Sequence, residues 1–209
     1  MKKIAVLTFE GCWAMGVFSV ADFFRIVNLV DAHLSQGKPR YRVEILSQDG
    51  NEIASASGHR IAPDGSMGRA QGHDLIVIPA IEGPRLQAGF EPDGRIVRWL
   101  RSRIQAGAQV LSLTTGACFV AATGLHETVP LATHWAFVRP LQARYPRHQF
   151  TAHPSCLQAD GIWSTGSLNG CFDALLEILA QERGDRFAQL VATHLLVAAP
   201  ENLTPILPG

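Results

Sequence analysis

The chain has 209 residues, with 18 Lys or Arg against 18 Asp or Glu, so its formal charge is zero when histidine is neutral. A composition 47 % hydrophobic and 17 % charged excludes a disordered chain. The length suits one domain that buries roughly 70 % of its unfolded surface. No apolar run approaches the about 18 residues of a membrane span, and a neutral balance argues against phosphate binding by this stretch. The opening Met1–Leu7 is followed by Glu10 and Gly11 before any small-residue cleavage site, so it reads as a first strand and not as a leader.

Strand and helix signals then alternate. Ile4–Thr8 is a short apolar run, as in a strand buried on both faces. From Val17 the residues Val20, Phe23, Phe24, Val27 and Val30 recur at helical spacing to about Leu34, where Gly37 and Pro39 end the pattern. Tyr41–Ser47 alternates as a strand, and Asp49-Gly50 turns the chain toward a polar hairpin through Ile53 and His59–Ala62. Leu75–Pro79 is a second buried strand. Pro92 is expected to open a helix with Ile96, Val97, Leu100 and Ile104 on one face. Val110–Leu113 reads as strand, Gly116–Thr123 as a short helix and His134–Arg144 as another. A hairpin around Asp160-Gly161 precedes helices from about Asn169 to Arg183 and from about Asp185 to Val197. This alternation predicts a three-layer α/β sandwich around a mostly parallel sheet. The last stretch, Ala199–Gly209, is Pro-rich and reads as the start of a linker.

The four cysteines, Cys12, Cys118, Cys156 and Cys171, lack paired spacing and read as free thiols of a reducing, cytoplasmic compartment. His148, His153 and Cys156 are the nearest approach to a ligand cluster, in a Pro-containing stretch too poor for zinc, so no metal or other cofactor is expected. Arg95, Arg98, Arg101 and Arg103 stand opposite an apolar helix face and read as a solvated surface. Ser167 begins a helix and reads as a cap. Glu10 and Glu82 lie just beyond strand ends, where such sheets bind ligands.

The informative segment is Val110–Val120. A buried strand passes at once into a helix, and Ser112-x-Thr114-x-Gly116 has the small-x-residue-x-small spacing of a nucleophile elbow. Such a turn aims its central side chain at a helix N-terminus, where an anion is favoured. The residue at the tip is Thr114.

The run Thr114-Thr115-Gly116-Ala117-Cys118, continued to Gly124-Leu125 and followed by Ala132-Thr133-His134-Trp135, resembles the ThiJ/PfpI family of class I glutamine amidotransferase-like domains. Within it, the chain is most similar to the N-terminal domain of AraC-type transcription regulators. Val6–Phe23, Asp74–Pro79 and Trp163–Gly170 support the resemblance, which covers about residues 1–195. It implies a flavodoxin-like, glutamine amidotransferase-like fold. The family's elbow Cys falls on Thr114, and its acidic partner falls on Gly16, while His134 is kept. A mid-chain Thr hydroxyl has no terminal amine to activate it, and a β-branched residue makes the elbow conformation costly. The covalent chemistry is therefore read as lost, with no catalytic residue remaining.

The expectation is a non-catalytic ligand-sensing domain over residues 1–197, a linker from 198 to 209, and a helix-turn-helix domain beyond this chain. A small-molecule effector would bind at the old active site, walled by Trp13, Gly16, Ile81, Thr114, Thr115, Cys118 and His134, with Gly16 leaving room where the acid stood. The domain is expected to form a homodimer, to reach DNA only through the further domain, and to have no membrane partner. The alternative is a free-standing ThiJ/PfpI-type enzyme acting on a small carbonyl, amide or isonitrile compound through Cys118, one helical turn beyond Thr114.

Overall fold

A computed structural model describes residues 1–35, 38–70, 72–154 and 156–195. The chain runs β1 (Lys2–Leu7), α1 (Ala14–Ser35), β2 (Tyr41–Ser47), then the short strands β3 (Ile53–Ala54), β4 (Arg60–Ile61) and β5 (Gly65–Ser66). It continues through β6 (Leu75–Ile78), α2 (Gly83–Gln87), α3 (Gly94–Gln105), β7 (Gln109–Leu113) and α4 (Ala117–Ala122). The last part holds β8 (Pro130–Ala132), α5 (Val138–Arg144), β9 (Gln149–Thr151), β10 (Cys156–Ala159), β11 (Ile162–Thr165), α6 (Gly170–Arg183) and α7 (Asp185–Leu195).

Seven strands form one sheet in the order β10-β11-β7-β6-β1-β2-β5. All its neighbouring pairs are parallel except the β10–β11 hairpin. Helices cover both faces of this mixed sheet: α1, α6 and α7 pack on one another, and α3 packs on α4. From β1 the chain crosses to β2 on one side, then returns to β6 on the other. The order therefore reverses between β1 and β6, the place where open α/β sheets bind ligands beyond the carboxyl ends of their strands.

Burial follows the sequence pattern. Every side chain of β6 is buried, as a central strand requires. On α1 the spaced residues Val17, Val20, Phe23, Phe24, Val27 and Val30 all face the core, while Met15, Phe18 and Leu29 remain open to solvent. The α1 backbone begins at Ala14, three residues before the apolar periodicity. Phe23 is fully buried, and truncating such a ring to Ala costs about 3–5 kcal/mol. Asp31 of α1 accepts a 2.7 Å hydrogen bond from Arg183 Nη2, tying α1 to the end of α6.

Some elements differ from the sequence reading. Pro92 does not open α3: Asp93 caps it, accepting from the Arg95 amide at 2.7 Å, and Gly94 is the first helical residue. Ile96 and Leu100 are buried, whereas Val97 is only half-buried. The expected His134–Arg144 helix is a 3-10 turn, Trp135–Phe137, followed by α5. The short strands β5, β8 and β9 and the single turn of α2 escaped the reading, because segments of two to five residues leave no period to detect. The linker-like end, Ala199–Gly209, and the boundary at residue 197 lie outside the described residues.

Candidate functional site

The elbow is built as the spacing predicts. Beyond Leu113 the chain turns sharply, and Thr114 adopts φ +47°. A left-handed conformation costs an L-residue about 1–2 kcal/mol, and β-branching makes it less comfortable still. The surroundings hold it there. The Thr114 amide donates to Thr165 Oγ1 at 3.3 Å, and Thr133 Oγ1 donates to the Thr114 carbonyl at 3.1 Å. Gly116 is required by close approach, since a Cβ there would lie 2.8 Å from the carbonyl oxygens of both Ile78 and Pro79. The next residue, Thr115, bonds to Ile81 in the loop after β6.

The residues expected at the elbow are placed as follows. Thr114 is only 4 % exposed. At Gly16 a Cβ would stand 3.1 Å from Leu113 Cδ1 and 3.3 Å from Pro79 Cβ. The room expected beside Gly16 is thus filled, because α1 lies directly against the ends of β6 and β7. His134 is half-buried; its Nδ1 accepts from the Ala136 amide at 3.3 Å, and its ring centroid lies 5.4 Å from that of Trp135. Cys118 is fully buried in α4, and burial pushes its thiol up to about 12. Its titratable neighbours are Arg144 and Tyr145 at the far end of α5.

Of the seven residues expected to wall a ligand, Gly16, Ile81, Thr114, Thr115 and Cys118 are buried, and only Trp13 and His134 reach the surface. The Trp13 amide donates to the Ala80 carbonyl at 2.9 Å and Cys12 bridges to Ile81, so the loops after β1 and β6 are stitched together beside the elbow.

Open space lies next to this stitching. A cleft of about 320 Å³ is bounded by Phe9 and Glu10 beyond β1, Gln48 and Asp49 beyond β2, and Arg85 and Phe90 in the segment after β6. Phe119 of α4 closes its base, with its ring centroid 4.7 Å from Phe9 and 6.0 Å from Phe90. None of the seven expected residues lines it. Glu10 was legible as a carboxylate beyond a strand end; the three phenylalanines carried no signal separating them from core residues.

Several of the other polar residues singled out in the sequence have structural partners. Ser167 Oγ accepts from the Gly170 amide at 3.1 Å, at the start of α6. Arg101 donates to the Thr123 carbonyl at 2.6 Å, Arg95 pairs with Asp93, and Arg98 faces solvent. Among the described residues, no group of three or more His, Cys, Asp or Glu is placed to hold a metal ion, and no helix is long and apolar enough to cross a membrane.

Comparison with known proteins adds the family context. A profile described as "DJ-1/PfpI family" matches residues 2–180. The HTH-type transcriptional regulator GbdR of Pseudomonas aeruginosa is 21 % identical over 192 residues, covering 88 % of this chain and 51 % of that protein. The HTH-type transcriptional regulator GlxA of Rhizobium meliloti is 26 % identical over 199 residues, covering 95 % of this chain and 59 % of the regulator. The chain thus spans little more than half the length of these relatives. Among solved structures, an AraC family transcriptional regulator from Pseudomonas putida superposes with a TM-score of 0.79 at 20 % identity, over 93 % of this chain and 100 % of that one. Drosophila melanogaster DJ-1beta gives 0.74 at 18 % identity, over 94 % and 98 %. At such identities these structures establish the fold.

Proposed function

The chain belongs to the DJ-1/PfpI family, and from that premise we propose that it is the non-catalytic, effector-sensing domain of an AraC-type transcriptional regulator. The observation that carries this reading is Thr114. The elbow keeps its strained geometry, but its tip holds a hydroxyl, and the position expected to carry the family's acid is Gly16, packed on Leu113 and Pro79. A secondary hydroxyl needs a base or a lowered pKa to act as a nucleophile.

In this reading residues 1–197 form the sensing domain and 198–209 begin a linker to a DNA-binding helix-turn-helix domain. That arrangement agrees with the relatives, of which the chain matches little more than half. The domain works in the cytoplasm as a homodimer that positions two DNA-binding arms. The effector enters at the carboxyl end of the sheet, where Trp13 and His134 form the open rim of the elbow and Thr114, Thr115 and Ile81 lie beneath. Gly16 and Cys118 are packing residues. An enzyme acting through Cys118 is disfavoured, because a buried thiol near 12 supplies almost no thiolate at neutral pH.

The test is a thermal-melt screen against small metabolites in which every hit is afterwards quantified. An effector at 100 times its dissociation constant stabilises the fold by about 2.7 kcal/mol. The reading expects hits that raise the melting temperature and are recovered unchanged. Conversion of a hit by the wild-type chain, lost in Cys118→Ser, would overturn it.

A further inference from the structure

A second pocket opens where α4 and α5 end. It holds about 220 Å³ between the last residues of α4, with Gly124 beyond them, and residues 144–148. No residue of its lining is shared with the cleft beyond β1. Sites for drug-sized ligands span roughly 300–1,000 Å³, so this one suits a group of a few heavy atoms.

Its buried wall carries an orphaned side chain. His148 is 3 % exposed, and neither of its ring nitrogens is hydrogen-bonded within the described residues. Its backbone is fixed: the Gln142 side chain donates to the His148 carbonyl at 2.6 Å, and the His148 amide donates to the Tyr145 carbonyl at 3.0 Å. Buried polar groups are almost always paired, so an unpartnered imidazole beside open space marks where a partner would complete it.

The charge around that ring is mainly cationic. Arg144 and Arg147 line the pocket, and Arg101 of α3 flanks it, donating to the Thr123 carbonyl at 2.6 Å beside Gly124. Arg144 is held by the Phe90 carbonyl and by Glu91, whose side chain is 82 % exposed. Arg147 pairs with Glu127 at 3.0 Å, while Arg101 is paired with no carboxylate among the described residues. Helix ends attract arginines by themselves, but that field does not account for a buried imidazole without a partner. A cation would meet three guanidiniums here. An oxyanion would accept from them and from the ring, and the planar guanidinium fork matches oxyanion geometry.

We propose that this pocket binds a phosphate-type oxyanion, free or carried by a small ester, between Arg144, Arg147 and the His148 ring, with Arg101 adding charge at the rim. The proposal concerns binding alone and does not rest on the regulator reading, so its failure leaves that reading intact.

Binding of this kind depends on pH. Burial holds the His148 ring below the ordinary histidine value. The groups that face it are His126 and Glu127, between α4 and β8, and Arg144, Tyr145 and Arg147. A bound dianion favours the charged ring, so binding takes up a proton and tightens as pH falls.

The experiment is calorimetric titration of the chain with inorganic phosphate, ethyl phosphate and sulfate, at an ionic strength held constant with chloride. Phosphate and sulfate are each expected to bind at one site. Ethyl phosphate binding more tightly than phosphate assigns the site to an ester, and the reverse order assigns it to the free anion; either supports the proposal. Sulfate stays a dianion and should bind about threefold more tightly at about pH 5.5 than at about pH 7.5. His148→Phe, which keeps a ring in place, should abolish that difference. Arg147→Gln should weaken phosphate about tenfold, whereas Glu127→Gln, which frees Arg147, should tighten it about threefold. Both of these side chains reach solvent, so neither change opens the core. No binding of phosphate or sulfate, weaker binding in Glu127→Gln, affinity untouched by Arg147→Gln, or a pH dependence that is absent or survives in His148→Phe would overturn the proposal.

Discussion

Thr115 Oγ1 lies 2.8 Å from both the amide nitrogen and the carbonyl oxygen of Ile81, accepting a hydrogen bond from the first and donating one to the second. One hydroxyl thus joins the elbow to the loop after β6, and all the groups involved are buried. Thr115→Val keeps the shape but leaves both Ile81 groups without this partner. It should lower unfolding stability by about 2–3 kcal/mol, whereas Thr115→Ser should stay within about 1 kcal/mol of the parent. Urea denaturation of the two variants checks the contrast.

Thr114 holds a backbone conformation that glycine adopts without strain. Replacing a buried threonine by glycine ordinarily destabilises a fold through lost burial and a more flexible unfolded chain. Here relief of about 1–2 kcal/mol of backbone strain opposes those losses. Thr114→Gly should therefore lie within about 1 kcal/mol of the parent in urea denaturation. A loss of several kcal/mol would show that the side chain, not the turn, holds the elbow together.

The thiols should be sluggish. Burial pushes Cys12 up to about 11 and Cys118, Cys156 and Cys171 to about 12. The neutral thiol is the form the fold favours, so alkylation by iodoacetamide at pH 7.5 should be slow at all four positions and fast only in denaturant. Cys156, the least buried of them, should react first. A single fast-reacting Cys118 in the folded protein would restore the enzymatic alternative.

Acid should act through Asp31. The Arg183 hydrogen bond is the main reason its carboxyl lies below the ordinary aspartate value. A depressed folded pKa means the unfolded chain takes up the proton first, so the contribution is present above about pH 4 and fades as pH falls through the folded value. Asp31→Asn should cost about 2 kcal/mol at pH 7, and the gap between variant and parent should narrow progressively below pH 4. A gap independent of pH would mean that packing, not charge, is what the substitution removes.

The legibility of this chain in its sequence depends on contiguity. Tyr41–Ser47 alternates over seven residues and forms β2 with the same bounds. The elbow could be read because Ser112, Thr114 and Gly116 are neighbours in sequence and their spacing is itself the structural requirement. The cleft could not, since Phe9, Asp49, Phe90 and Phe119 come from four separated segments, and each alone reads as core or turn. Gly16 shows the opposite error: an absent side chain read as empty space, although the approach of α1 to Leu113 and Pro79 had closed it.

The most direct test of the central claim is to read the source gene beyond the codon for Gly209. A sensing domain of an AraC-type regulator predicts an open frame continuing for about 100 residues into a basic helix-turn-helix region. A stop codon directly after Gly209 would contradict it.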